Sequence, residues 1–245
     1  MDSITLLLFC CTLFIVATLY SCVGQSGGSG FIAAMAFFGF APSIIKPTSL
    51  ALNIFVSAIV AVRFWRDGHF RWRLFWPLAL SSVPCAVIGG YLNLPNRAFK
   101  MLLGSALLIG ALPFFRRKWS ESSNLVTPPF LGSLLAGAGV GLLSGLTAIG
   151  GGILITPILL FFRWASTKSA AAVSAMFILV NSIAAMAGHL SNVQSVPKNI
   201  PLFAIAAGAG GFLGSHLGSR ILPVSAIRLI LGGVLIIAGV KLLGT

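Results

Sequence analysis

Apolar runs separated by short polar interruptions fill the chain from end to end, at approximately 4–40, 47–65, 74–93, 97–115, 129–162, 168–190, 200–220 and 223–243. The runs are continuous rather than alternating, so they predict helices and not the strands of a β-barrel. Runs of about 20 apolar residues are membrane spans, and a helix pairs its own backbone polar groups in lipid. Two runs are too long for one crossing. At about 1.5 Å per residue, 4–40 and 129–162 would each reach over ~50 Å, against a hydrocarbon core of about 30 Å. Glycine interrupts both, at Gly24-Gln25-Ser26-Gly27-Gly28-Ser29-Gly30 and at Gly145-Leu146-Thr147-Ala148-Ile149-Gly150-Gly151-Gly152. Such runs end helices and permit tight turns, so each long segment is expected to break there.

The same pattern repeats in the second half. Gly27-Gly28 aligns with Gly150-Gly151, Ser49 with Ser174, Ser57 with Ser182, and Trp76-Pro77-Leu78 with Ile200-Pro201-Leu202. A polar linker, Arg116-Arg117-Lys118-Trp119-Ser120-Glu121, divides the copies. The expected architecture is an all-α polytopic membrane bundle of two repeats, 1–118 and 119–245, forming one membrane domain. Each repeat has a glycine-broken hairpin segment and about three spanning helices.

Loop charge sets the relation between the copies. If each long segment crosses once, the repeats are parallel and the basic residues split nine to seven. If each folds back at its glycines, the repeats are inverted and the split becomes eleven to five. The eleven are Arg63, Arg66, Arg71, Arg73, Arg116, Arg117, Lys118, Arg163, Lys168, Arg220 and Arg228. The positive-inside rule favours the inverted arrangement, which sets Lys46 and Lys168 on opposite sides.

Composition narrows the chemistry. Hydrophobic residues make up 58% and charged residues 8%, with 16 Lys and Arg against 3 Asp and Glu. Asp2 is terminal, while Asp67 and Glu121 fall in loops, so no predicted span carries a carboxylate. Carboxylates are the usual proton relays and cation ligands in membranes, so a cation substrate has no obvious residues here. An anionic solute suits the basic loops. No basic domain stands outside the membrane to bind nucleic acid. Cys10, Cys11, Cys22 and Cys85 lack metal-ligand spacing, and no metal or cofactor is expected. The partners are a small anionic solute and the bilayer, and the pattern specifies no oligomer.

Helices that stop inside the membrane expose N–H groups at their N-termini, where the dipole favours anions. Gly27, Gly28 and Ser29 open one such helix; Gly150, Gly151 and Gly152 open the other. The following helix of each half is polar at spaced positions: Ser49, Asn53 and Ser57 lie four apart on one face, and Ser174, Asn181 and Ser182 lie in the second copy. These side chains either line a solute path or bond helix to helix. Lys46 and Lys168 lie near span ends, where they either snorkel or form an electrostatic funnel. His189 ends its span and is a candidate proton carrier or a packing group. Gly27-Gly28-Ser29-Gly30 also fits the G-x-S-G pattern of rhomboid intramembrane serine proteases, with His189 as dyad partner. The aligned position of Ser29 is Gly152, which argues against a nucleophile.

Gly150-Gly151-Gly152-Ile153-Leu154-Ile155-Thr156-Pro157, the first-half break, Lys168-Ser169-Ala170 with Ser174, and Asn181-Ser182 ahead of His189 resemble the sulfite exporter TauE/SafE family, from about residue 6 to 243. The first copy departs from the pattern: Ser29 replaces a glycine, and Ala34 stands where Pro157 stands in the second. The resemblance implies a non-enzymatic permease of the cytoplasmic membrane, mostly bacterial, moving sulfite, sulfoacetate or other organosulfonates. The motif carries over to Gly27, Gly28, Gly150, Gly151, Gly152 and Pro157. Alternating access is the expected mechanism, with an anion channel as the alternative.

Overall fold

The computed structural model describes residues 2–92, 125–189 and 199–223, with 101, 104, 105, 108 and scattered positions from 225 to 243. The linker at 116–121 and the boundary at 118 lie outside the described residues, as do most positions of the predicted spans at 97–115 and 223–243. Regular structure among the described residues is helical: α1 (Ser3–Cys22), α2 (Gly28–Phe37), α3 (Pro42–Arg66), α4 (Trp72–Tyr91), α5 (Phe130–Thr147), α6 (Gly152–Phe161), α7 (Thr167–His189) and α8 (Ile200–His216). A π-helical turn, Leu217–Ile221, continues α8. Six helices among the described residues are long and apolar enough to cross a bilayer, whereas α2 and α6 are too short. The protein is a multi-pass helical membrane protein. Leu7, Leu8, Leu80, Leu135 and Ile205 point outward, where lipid is their solvent.

Both overlong segments split at their glycines. Left-handed backbone recurs at matched positions 124 residues apart: Gly24 (φ 77°) with Ala148 (58°), Gly27 (103°) with Gly151 (77°), and Gly39 (77°) with Arg163 (56°). Gly27 and Gly151 are the N-caps of two ten-residue helices. The matched breaks are therefore one residue off the alignment of Gly27-Gly28 with Gly150-Gly151. The counterpart of Ser29 is Ile153 rather than Gly152, and that of Pro157 is Ala33 rather than Ala34. A residue is gained before the next helix, since Ala41 and Ser166 accept the first-turn bonds of α3 and α7. Ser49 and Ser57 thus do match Ser174 and Ser182.

Each short helix folds back on the long helix before it. Tyr20, near the end of α1, bonds Ser29 at the start of α2, while the Phe9 ring packs edge-on 5.2 Å from Phe38 and tilted 5.0 Å from Phe40, beyond the far end of α2. In the second hairpin Gly151 lies against Ser144, and Gly132 near Trp164. The helices α3 and α7 then pass one another in opposite directions. Leu50, early in α3, packs with Ala185 and Met186, late in α7. At the other end, His69 after α3 and Lys168 at the start of α7 both donate to the Ser219 carbonyl, at 3.3 and 2.9 Å.

Packing between the halves is reciprocal. The fourth helix of each half lies on the first and third helices of the other: α4 on α5 and α7, α8 on α1 and α3. Glycine ladders make the closest of these contacts. A β-carbon added at Gly137, Gly141 or Gly145 would fall 2.2–2.4 Å from the Leu78, Ser82 and Ala86 carbonyl oxygens. One added at Gly210, Gly214 or Gly218 would fall 2.0–2.3 Å from those of Phe14, Thr18 and Cys22. Small residues four apart let helix backbones touch, the packing available where lipid removes the hydrophobic drive.

One end of this interface is ionic. Arg220, in the π turn, donates from Nε and Nη2 to Asp67 Oδ1 at 2.8 and 2.6 Å. Arg63 Nε lies 3.5 Å from Oδ2, and Arg63 also contacts His216. Hydrogen bonds from the Arg220 guanidinium, opposed by burial and helped by Ser219 and Arg63, hold the Asp67 carboxyl down to about 2 from 3.8. A depressed carboxylate contributes stability above its unfolded value and loses it as pH falls through the folded one. The melting temperature of the solubilised protein is expected to drop between about pH 3.8 and 2, and Asp67→Asn to remove that step. An unchanged acid profile in the variant would show that the pair does not couple the halves.

Candidate functional site

The two breaks meet inside the molecule. A β-carbon on Gly28 would lie 2.6 Å from the Ile149 carbonyl oxygen and 2.5 Å from Asn53 Nδ2, a closeness only glycine permits. Asn53 joins the two breaks. Its Oδ1 accepts from Ser26 at 2.6 Å, and its Nδ2 donates to the Ala148 carbonyl at 3.1 Å. Ser49 donates to the same carbonyl at 3.2 Å and lies 3.4 Å from that of Gly28. From the other side, Gln25 Nε2 reaches Thr156 Oγ1 at 3.4 Å, and Thr156 bonds Ser174 at 2.7 Å. Each of these polar side chains is at most 2% exposed. Such a network persists in a low-dielectric interior because its members satisfy one another.

Neither α2 nor α6 has a side-chain cap at its N-terminus. Their first N–H groups thus combine orphan donors with the positive ends of two dipoles. The surroundings differ between the breaks. At the first, Ser29 bonds Tyr20 Oη at 2.8 Å, and Ser26, Asn53 and Gln25 are all engaged. At the second, the Ser144 and Ser182 hydroxyls and Asn181 Oδ1 are fully buried without a hydrogen-bond partner. Asn181 Nδ2 donates to the Phe177 carbonyl at 2.8 Å and to Ser82 Oγ at 3.1 Å, which fixes the orientation of the amide.

Of the side chains read from sequence, Ser49, Asn53 and Ser174 join the central network directly. Ser57 bonds back to the Asn53 carbonyl of its own helix. Pro157 sits half-buried within α6 and brings no polar group, whereas its neighbour Thr156 does. The flanking cations stand at the helix ends. Lys168 bonds Ser219 at the ionic end, and Lys46 and His189 lie together at the other, with His189 beside the Gly90 carbonyl. The Ser29 hydroxyl is paired with Tyr20, not with a histidine. Gln25, Ser26, Thr156, Tyr20 and Ser144 were not singled out from the sequence. Their signal was a lone polar residue inside or beside a break in an apolar run.

Residues 9–242 match the family described as Sulfite exporter TauE/SafE. The chain belongs to the sulfite exporter TauE/SafE family. It is 40% identical over 234 residues to the probable membrane transporter protein y4hK of Sinorhizobium fredii, covering 94% of this chain and 95% of that one. Identity is 26% to the probable membrane transporter protein YjnA of Bacillus subtilis, over 93% of this chain and 96% of the relative. A probable membrane transporter protein of Methanocaldococcus jannaschii is also 26% identical, over 94% and 92%. No solved structure matches. This TauE/SafE protein is accordingly a membrane transporter, and both of its glycine breaks fall within the matched residues.

Proposed function

We propose that this TauE/SafE protein carries a small sulfur-containing anion, sulfite or an organosulfonate, by alternating access between inverted halves spanning 1–118 and 119–245. The observation that carries the proposal is the meeting inside the molecule of the two breaks that open uncapped helices, with Gly28 of the first against the Ile149 carbonyl of the second. The antiparallel passage of α3 and α7 supports inversion. Among the described residues, Arg63, Arg66, Arg71, Arg73, Arg163, Lys168 and Arg220 share one end and Lys46 lies at the other, so we assign the arginine end to the cytoplasm of a bacterial cell. Burial of the central polar groups favours a carrier over an open channel, whose lining stays wet.

The test is a thermal-shift panel on the purified, detergent-solubilised protein with sulfite, sulfate, thiosulfate, sulfoacetate, taurine, acetate and phosphate. A ligand bound by the folded state alone raises the melting temperature. The expected result is a shift confined to sulfite or sulfonates; a shift with acetate or phosphate alone, or with none of the seven, overturns the reading. Counterflow in proteoliposomes then separates carrier from channel, because only a carrier exchanges solute for solute.

A further inference from the structure

We infer that the two matched breaks are not equivalent: the solute sits at the second alone, on the N-terminus of α6 between Ser144 and Ser182, and it is a compact inorganic oxyanion. This inference rests on the transport reading above.

The argument compares matched positions. Tyr20 and Ser144 are 124 residues apart and occupy the same place against their hairpins. In the first half a phenol fills that place and closes on Ser29. In the second it holds only a serine, whose hydroxyl has no partner. Ser57 and Ser182, 125 apart, differ in the same sense: Ser57 bonds its own helix, while Ser182 bonds nothing. Ser21 is also unpartnered, but it faces Gly211 of α8 and not the break.

Ser182 and Ser144 stand against consecutive glycines of the second break. The Ser182 hydroxyl lies 3.2 Å from where a β-carbon on Gly150 would stand, and Ser144 Cβ lies 3.2 Å from that of Gly151. Two buried hydroxyls beside an uncapped N-terminus lack partners; the Asn181 amide oxygen, also unpartnered at this break, is bonded by neither of them. A hydroxyl left so loses its exchange with water and gains nothing. An oxyanion supplies the missing acceptor to both hydroxyls and to the α6 N–H groups together.

The surroundings set its size. Phe177, Val140 and Ile178 approach within 3.0, 3.1 and 2.6 Å of the β-carbon positions at Gly151 and Gly150. Of these, Ile178 lies over both Gly150 and Gly152; its branched carbon is fixed over the first, and only the ethyl arm over the second can turn aside. A carbon arm bearing a carboxylate gains no donor here, because the walls are apolar and the polar group left open beside them, Asn181 Oδ1, is itself an acceptor. The class is therefore sulfite-like rather than a substituted sulfonate.

The experiment is sulfite titration by thermal shift on the full chain, comparing wild type, the Ser144→Ala/Ser182→Ala double variant, Ser144→Tyr and Tyr20→Phe. Melting without anion reports folding for each. The double variant is expected to need roughly tenfold more sulfite or above, as for lost hydrogen bonds to a charged group. Ser144→Tyr installs the first half's plug and should abolish the shift, and Tyr20→Phe should titrate like wild type. In the wild type, sulfite should outcompete sulfoacetate and taurine. Wild-type titration retained by the double variant overturns this inference and leaves the transport reading intact, as does a shift lost in Tyr20→Phe. Absence of any wild-type shift across the panel overturns both.

Discussion

Gly151→Val is expected to abolish transport while Gly39→Val leaves it near wild type. Both glycines have φ of 77°, so both variants force a β-branched residue into left-handed backbone, at about 1–3 kcal/mol of strain. They differ in what the new side chain meets. Around Gly39 nothing lies within 4 Å, whereas a β-carbon at Gly151 meets Phe177 at 3.0 Å, Val140 at 3.1 Å and Ser144 at 3.2 Å. Its two methyls would occupy the space over the α6 N-terminus. Each 1.4 kcal/mol of lost binding is tenfold in affinity, so exclusion from the N–H groups removes uptake at any practical concentration. Sulfite flux in proteoliposomes, normalised to protein folded by melting, is the measurement. Equal flux in the two variants would sink the α6 N-terminus as the seat, because backbone strain is matched between them.

Gly145→Ala and Gly214→Ala are expected to lower the melting temperature sharply, and Gly139→Ala to leave it unchanged or raise it slightly. The first two would drive a methyl to within 2.2 Å of the Ala86 carbonyl oxygen and 2.1 Å of that of Thr18. Backbone cannot swing aside as a side chain can, so the helices must separate along the ladder. Overpacking usually costs about 1–3 kcal/mol, and a rigid contact lies at the upper end. Gly139 lies on the same helix as Gly145 with nothing within 4 Å, and alanine there gains helix propensity of up to ~1 kcal/mol. Because each ladder joins one half to the other, the damaged variants should also lose anion binding in proportion to folded protein. Thermal melts of the three variants in one detergent decide the matter; a Gly139→Ala loss as large as the others would assign the effect to the helix itself.

Much of this was legible from the chain alone, for reasons of scale. A bilayer has one thickness, so an apolar run of twice that length must break, and glycine marked both places. The spacing of Ser49 and Asn53 placed them on one face because a helix has one period. The breaks were misaligned by a residue because matching letters pairs glycine with glycine, whereas the fold pairs φ angles. Gly24 corresponds to Ala148 and Gly39 to Arg163, pairings that matching glycine to glycine passes over. Thr156 and Gln25 escaped notice because their partnership spans 131 positions and exists only once the hairpins meet. Tyr20 escaped because an aromatic in an apolar run reads as lipid-facing until its hydroxyl is seen to close on Ser29.

Both ends of the interface between the halves pack through glycine, as Gly218 does on Cys22, but one end carries charge as well. At the arginine end Asp67 meets Arg220 and Arg63, and charge attraction acts over about a Debye length, roughly 8 Å at physiological salt. At the opposite end the nearest approaches are Gly188 to the Val87 carbonyl and Gly90 to that of Ala185, and dispersion is forfeited within about an ångström of separation. The first end can therefore begin to pull itself shut across a water-filled gap; the second must be brought to touching before it holds.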